Sequence, residues 1–229
     1  MAYTASLLSF VLENLNKTVV LTGSQIPISE LRNDAVDNLL GSLIVAGTFL
    51  LPEVCVYFDN KLMRGNRTTK DSSSLLEAFN SPNMAPLARL DVNFAIEWNR
   101  VLRFSSGAFN VCQSLEANIS FMTMSPLMNI KALGLVMMES KAVILAGYGM
   151  GNLPSNNKEL MQTIREAIQR GVIVVIKTQC HRGSVNDVYE TGRVLTQIGC
   201  VLAMDMTVEC IFAKLAYLLG KKEYSTDQV

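Results

Sequence analysis

The chain has a single histidine, His181, and no C-x-x-C pair, so the ligand spacings that build a structural zinc site are absent. No metal is expected. Five cysteines (Cys55, Cys112, Cys180, Cys200 and Cys210) are odd in number and widely spread, several inside apolar runs. That is the pattern of reduced thiols in a reducing, cytosolic compartment. An excess charge of either sign is also missing, since 20 basic and 20 acidic residues cancel. The balance argues against the broad electrostatic attraction that nucleic acid or an anionic membrane surface requires, and favours a small neutral or zwitterionic ligand. No cationic leader opens the chain, and the longest apolar stretch, 39–52, is too short and too rich in small residues to span a bilayer. Internal repeats and low-complexity segments are lacking.

What is present is apolar. With 229 residues, 49% of them hydrophobic, the chain can bury the core of one large or two small domains. Leu7, Leu8, Val11, Leu12 and Leu15 recur at helical spacing, so a helix is expected from the first residues. Residues 18–21 read as a β-branched strand. Thr22-Gly23-Ser24-Gln25 follows it, either a ligand loop at a strand end or an ordinary turn. Residues 34–49 read as a buried helix capped by Asn33 or Asp34. The run 54–58 is apolar on both faces, as a central parallel strand would be, and 72–79 reads as a short helix. Two prolines keep 81–87 irregular. Strand and helix alternate, so the class is α/β.

Periodicity fails across 99–113, which reads as a linker between domains at 1–98 and 114–229. Beyond it, strands are expected at 119–122, 143–145, 172–176 and 200–203. Helices are expected at 156–170 with a cap at Asn156, at 187–198 and at 207–219.

Three stretches could carry chemistry. Arg64-Gly65-Asn66-Arg67-Thr68-Thr69-Lys70-Asp71 follows the turn signal Asp59-Asn60 and packs three cations and two hydroxyls into seven residues. It reads either as the solvated arm of a hairpin or as a site in which Lys70, beside Thr69, is a catalytic cation. The second reading needs burial or a like-charged neighbour to loosen the ammonium proton. Gly147-Tyr148-Gly149-Met150-Gly151-Asn152 has the wrong glycine register for a dinucleotide loop, because Asn152 and Pro154 stand where a third glycine belongs. Cys180 and His181 are neighbours, and adjacent residues of an extended chain face opposite ways, so a Cys/His hydrolase pair is not expected.

The first stretch resembles the signature of the bacterial-type L-asparaginases, specifically the cytosolic type I branch. Other matches follow in family order: Leu21-Thr22-Gly23-Ser24-Gln25-Ile26-Pro27, Asp34 with Asn38-Leu39, Ser81-Pro82-Asn83, Tyr148-Gly149 with Gly151-Asn152, Thr178-Gln179-Cys180 with Gly183, and Asp205-Met206-Thr207 with Ala213-Lys214-Leu215. The resemblance implies that Lys70 belongs to a Thr-Lys-Asp relay and that Asn152 reaches the active site of a neighbouring subunit. A plain glycine turn is the other reading of Asn152. Thr69 and Cys180 fall in the region where some bacterial members bind regulatory asparagine, although Ala146 stands where those members often carry arginine.

The implied fold is a truncated flavodoxin-like parallel-sheet N-terminal domain followed by a smaller α/β C-terminal domain, assembled as homo-oligomers. The implied reaction is hydrolysis of the asparagine side-chain amide through an acyl-threonine intermediate, with no cofactor. In the family, Met-Ala-Tyr-Thr-Ala follows Gly-Thr-Asp-Thr directly, and here it is residues 1–5. The nucleophilic threonine, the mobile-loop tyrosine and the Thr-Asp pair that partners the lysine would then precede Met1, and the chain alone is expected to be inactive. Alternatives are a non-catalytic chain that associates with full-length subunits, and the amidase subunit of an archaeal-type tRNA amidotransferase. Some animal relatives continue into ankyrin repeats.

Overall fold

The computed structural model describes residues 1–186, 190–221 and 223, and the chain divides into two units, Met1–Gln113 and Ser114–Val229. Both are α/β.

In the first unit, α1 (Ala2–Val11) runs into β1 (Leu12–Glu13), and Asn14 with φ of 55° turns the chain away from the helical path. There follow β2 (Val19–Leu21), α2 (Ala35–Thr48), β3 (Val54–Phe58) and β4 (Lys61–Arg64). A single 3₁₀ turn, Gly65–Arg67, leads to β5 (Thr69–Lys70), and β6 (Phe79–Asn80), β7 (Ala88–Leu90), β8 (Phe94–Ile96) and β9 (Asn110–Val111) complete the unit. The main sheet has the order β2-β3-β4-β7-β8. Only β2 and β3 run parallel; from β4 onward the pairing is antiparallel. The β3–β4 hairpin closes through Asp59 and Asn60, both with positive φ, so the sequence reading of that turn holds.

Period-two alternation along β3 builds the core on both faces at once. Val54, Val56 and Phe58 pack with Ala2 and Ala5 of α1, while Cys55 and Tyr57 pack with Val45 of α2 and with Leu51. The α2 contact is unusually close. A Cβ on Gly41 would lie 2.2 Å from the Tyr57 ring, so only glycine lets the helix seat there.

Two elements depart from expectation. Helix α2 is not buried: it turns Asn38, Gly41, Ser42 and Val45 to the sheet, while Val36, Leu39, Leu40, Leu43 and Ile44 are exposed. Residues 72–79 are not helical either. The Ser72 hydroxyl accepts from the Ser74 and Leu75 N–H groups at 3.1 and 3.0 Å, a local turn that competes with helix, and Phe79 pairs with Lys70 in β5–β6. The segment read as a linker is tied to the first unit. Strand β9 pairs with β1, and the Asn14 and Asn16 amides donate to the Ala108 and Ser105 carbonyls at 2.9 and 2.8 Å.

The second unit is a parallel sheet of order β10-β11-β12-β13, formed by Ile119–Thr123, Ala142–Gly147, Ile173–Thr178 and Val201–Leu202. Val143 and Leu145 of β11 face α3 (Ile130–Glu139) and α4 (Lys158–Gln169). Ala142 and Ile144 face α6 (Val208–Lys221). Helix α5 (Glu190–Gln197) matches the helix expected at 187–198, whose start lies outside the described residues. Helix α3 was not anticipated; its one signal was Asn129, whose side chain accepts from the Ala132 N–H. The α4 cap is Asn157, one residue after the expected Asn156.

The Gly41 contact gives a test with a clear sign. Helix propensity alone would make Gly41→Ala stabilising by about 1 kcal/mol. Overpacking against Tyr57 should dominate, so a net loss of about 1–3 kcal/mol is expected in urea unfolding.

Candidate active site

Residues 22–25 leave the carboxyl end of β2 and are held from behind by α2. The buried Asn38 amide donates to the Gly23 carbonyl at 3.0 Å and to Asp34 Oδ2 at 3.1 Å. Its Oδ1 accepts from the Asp59 N–H at 3.0 Å. One side chain thus joins the ligand-loop candidate, the helix start and the β3–β4 turn. Thr22 adds a hydroxyl bond to the Tyr57 carbonyl at 2.8 Å.

Asp34 continues the chain of contacts. Its carboxylate accepts from the Gln25 N–H at 3.0 and 3.1 Å and from the Ile26 N–H at 2.9 Å. Burial pushes the Asp34 carboxyl upward. The Gln25, Ile26 and Asn38 hydrogen bonds outweigh it and hold the group below the ordinary aspartate value. Asp34 is therefore spent on the loop, and it is Asn33 Oδ1 that accepts from the Ala35 and Val36 N–H groups, at 3.1 and 3.3 Å.

Gln25, fixed by its backbone, presents its side chain to the signature stretch. Its Oε1 accepts from Lys70 Nζ at 3.1 Å, and its Nε2 donates to the Leu75 carbonyl at 3.1 Å. Lys70 Nζ also lies 4.8 Å from the centre of the Phe79 ring. Strand β5 rests against α1. Lys70 itself is exposed, which corrects the expectation of a desolvated ammonium, while Thr68 and Thr69 are buried. Alternation in the short strand explains the difference: Thr69 turns inward, so Lys70 turns out.

In the second unit, the residues after β11 fold back on themselves and open no helix. Tyr148 and Asn152 exchange backbone bonds at 2.8 Å, with Gly149 and Gly151 at φ of 48° and 95°. This is not a dinucleotide loop. Asn152 is half-buried at the end of the turn. Thr178-Gln179-Cys180 lies alongside, with Thr178 Oγ1 donating to the Gly149 carbonyl and the Gln179 N–H to the Gly147 carbonyl at 2.9 Å. Gln179 Nε2 reaches the Met124 and Ala146 carbonyls at 2.7 and 2.9 Å, so Thr178 and Gln179 pack the strand end.

Cys180 is exposed, in a bend where extended chain was expected, next to His181. Burial pulls the Lys177 ammonium below its ordinary value, against the opposing pull of Glu209 and Cys180. The sequence reading gave no role to Lys177 or Asn38, and placed Gln25 in a possible ligand loop without assigning its side chain a contact. A signal existed for Asn38: Asp34 and Asn38 are four residues apart, hence on one helical face, directly after a glycine loop. Among the described residues, no group of three or more His, Cys, Asp or Glu side chains could hold a metal ion. No described helix is long and apolar enough to cross a membrane.

Residues 1–102 match the family model "Asparaginase, N-terminal" and residues 118–229 match "Glutaminase/Asparaginase C-terminal domain". The chain is 41% identical over 223 residues to an L-asparaginase of Dirofilaria immitis, covering 96% of this chain and 38% of that protein. It is 39% identical over 229 residues to the Homo sapiens 60 kDa lysophospholipase, covering 99% of this chain and 40% of that one. The crystal structure of L-asparaginase I from Vibrio cholerae superposes with a TM-score of 0.91 at 41% identity, covering 99% of this chain and 68% of that chain. The chain thus spans about two fifths of the length of the first two relatives.

Asp34 carries a pH prediction. Its folded-state pKa is depressed, so its stabilisation is complete above the unfolded value of about 4 and is lost as pH falls through the folded value. Asp34→Asn should cost about 1–2 kcal/mol at neutral pH and lose stability less steeply on acidification, as read from urea midpoints between about pH 6 and pH 2.

Proposed function

Because the chain belongs to the asparaginase family, we propose that it is a cytoplasmic, asparaginase-like amidohydrolase, converting asparagine and water to aspartate and ammonia. The observation that carries this reading is the link from Asn38 and Asp34 through Gln25 to Lys70, which puts the signature lysine against the loop at the end of β2. The reaction proceeds through an acyl-threonine. Lys70 supplies the proton transfer that a weak hydroxyl nucleophile needs, and Asn152 binds substrate from a neighbouring subunit of a homo-oligomer.

On its own the chain is inactive. Lys70, exposed and bonded to the neutral Gln25 amide, has no carboxylate partner among the described residues. A lysine separated from the groups it works with gives little turnover.

A second reading is a non-catalytic chain that associates with asparaginase-like subunits. It is favoured by the outward apolar face of α2, where Leu39, Leu40, Leu43 and Ile44 are exposed together.

Ammonia release from asparagine distinguishes these readings. The chain alone should release none. Fusing the corresponding preceding segment of the V. cholerae enzyme to Met1 should restore turnover, and Lys70→Ala in that fusion should lower it by about a thousandfold. Turnover by the chain alone would contradict its inactivity, and a folded fusion that stays silent would overturn the amidohydrolase reading. Co-purification of the silent chain with the full-length V. cholerae enzyme would support the second.

A further inference from the structure

The side of α2 that faces away from the sheet is almost wholly apolar. Val36, Leu39, Leu40, Leu43 and Ile44 are each between 42 and 58% exposed, and the one charge along the helix is Asp37. Isolated exposed leucines are ordinary, but five large aliphatic side chains on one side of a 14-residue helix form the kind of continuous patch that marks an interface. Asn38 lies on the opposite side, so the patch uses no group of the candidate active site.

The pattern within the patch says what covers it. Val36, Leu40, Leu43 and Gly47 follow one another at intervals of four, three and four residues, which is the seam of a helix that packs lengthwise on another helix. Gly47 ends the seam in a hollow. A Cβ there would have nothing within 4 Å, and a cavity of about 240 Å³ lies beside it, with Lys17, Ala46 and Thr48 in its walls. Two copies of α2 laid antiparallel about a two-fold axis would set Leu40 against Leu43 of the second copy and Val36 into the hollow at Gly47. The same arrangement would bring the exposed Asp37 carboxylate to the exposed Lys17 ammonium of the second copy and oppose the two helix dipoles. Laid parallel, the helices would face Gly47 with Gly47, leaving a void, and Asp37 with Asp37.

We propose that the outward face of α2 docks on the same face of a second copy of this chain, as an antiparallel helix pair with two-fold symmetry. A helix of 14 residues is about 21 Å long, so the pair buries less than the roughly 800 Å² per partner of a standard interface, and the dimer should be weak, with a Kd of about 10–100 μM. The proposal uses the face cited for the second reading above without resting on it.

Sedimentation velocity of the chain between about 1 and 500 μM tests this. A reversible dimer and nothing larger should form, because a two-fold contact closes on itself. Leu43→Glu should weaken it at least about tenfold while leaving the circular dichroism spectrum and thermal midpoint of the monomer unchanged, since that side chain is exposed, and Leu135→Glu, at an exposed position of α3, should have no effect. Gly47→Leu should weaken the dimer about tenfold by filling the hollow that Val36 enters; in a parallel pair it would fill the void and tighten it. Asp37→Lys and Lys17→Asp should each weaken the dimer about threefold, and an equimolar mixture of the two variants should recover it, because each supplies the charge that the other lacks. Monomer at every concentration, whether or not the full-length V. cholerae enzyme captures it, would overturn the proposal. So would oligomers beyond the dimer, a dimer indifferent to Leu43→Glu or lost with Leu135→Glu, tightening by Gly47→Leu, or no recovery in the mixture. None of these readouts involves ammonia release, so failure here leaves the amidohydrolase reading untouched.

Discussion

The side chain of Asn38 is the contact on which the candidate active site depends. Three backbone or side-chain groups from separate parts of the chain, the Gly23 carbonyl, the Asp34 carboxylate and the Asp59 N–H, converge on one buried amide. Each is polar, and each would be left without its partner if the amide were lost, which is why a single neutral residue can fix a loop that has almost no apolar anchorage of its own. Asp34 passes that constraint to the Gln25 backbone, and Gln25 passes it to Lys70. The lysine's position is thus determined by residues up to 45 positions away in sequence.

The sheets make this economy of contacts sufficient. In both units a fully buried strand, β3 in the first and β11 in the second, alternates its side chains between helices on its two faces. The ends of those strands are therefore rigid platforms, and the loops that leave them inherit the rigidity. At the other end of β3, the Glu53–Arg64 pair does comparable work by tying the Leu102 N–H and the Arg100 carbonyl to the sheet.

Much of this was legible in the sequence where one physical signal dominated. Uninterrupted apolar runs placed β3, β11 and β12, and the Asp59-Asn60 turn placed the hairpin. Signals that compete were misread. Leu39, Leu40, Leu43 and Ile44 have the hydrophobicity of a core face, yet the close seat of Gly41 on Tyr57 turns that face outward, and only tertiary geometry reveals it. Residues 130–139 are almost uniformly apolar, so helical periodicity had no contrast to show. Ser72 diverted 72–79 from helix through its own hydroxyl. For the site, motif resemblance singled out Lys70, Thr69, Asn152 and Cys180 as candidates. The exposure of Lys70 and the role of Gln25 are pairwise facts, invisible until 25 and 70 are brought together.

Hydrogen exchange in Asn38→Ala tests the central claim most directly. If Asn38 holds the loop that presents Gln25, protection of the Gln25 and Ile26 amides should fall by about tenfold or more beyond any change in global stability, while β11 and β12 keep theirs. Protection at Gln25 and Ile26 that merely tracks the global change would contradict it.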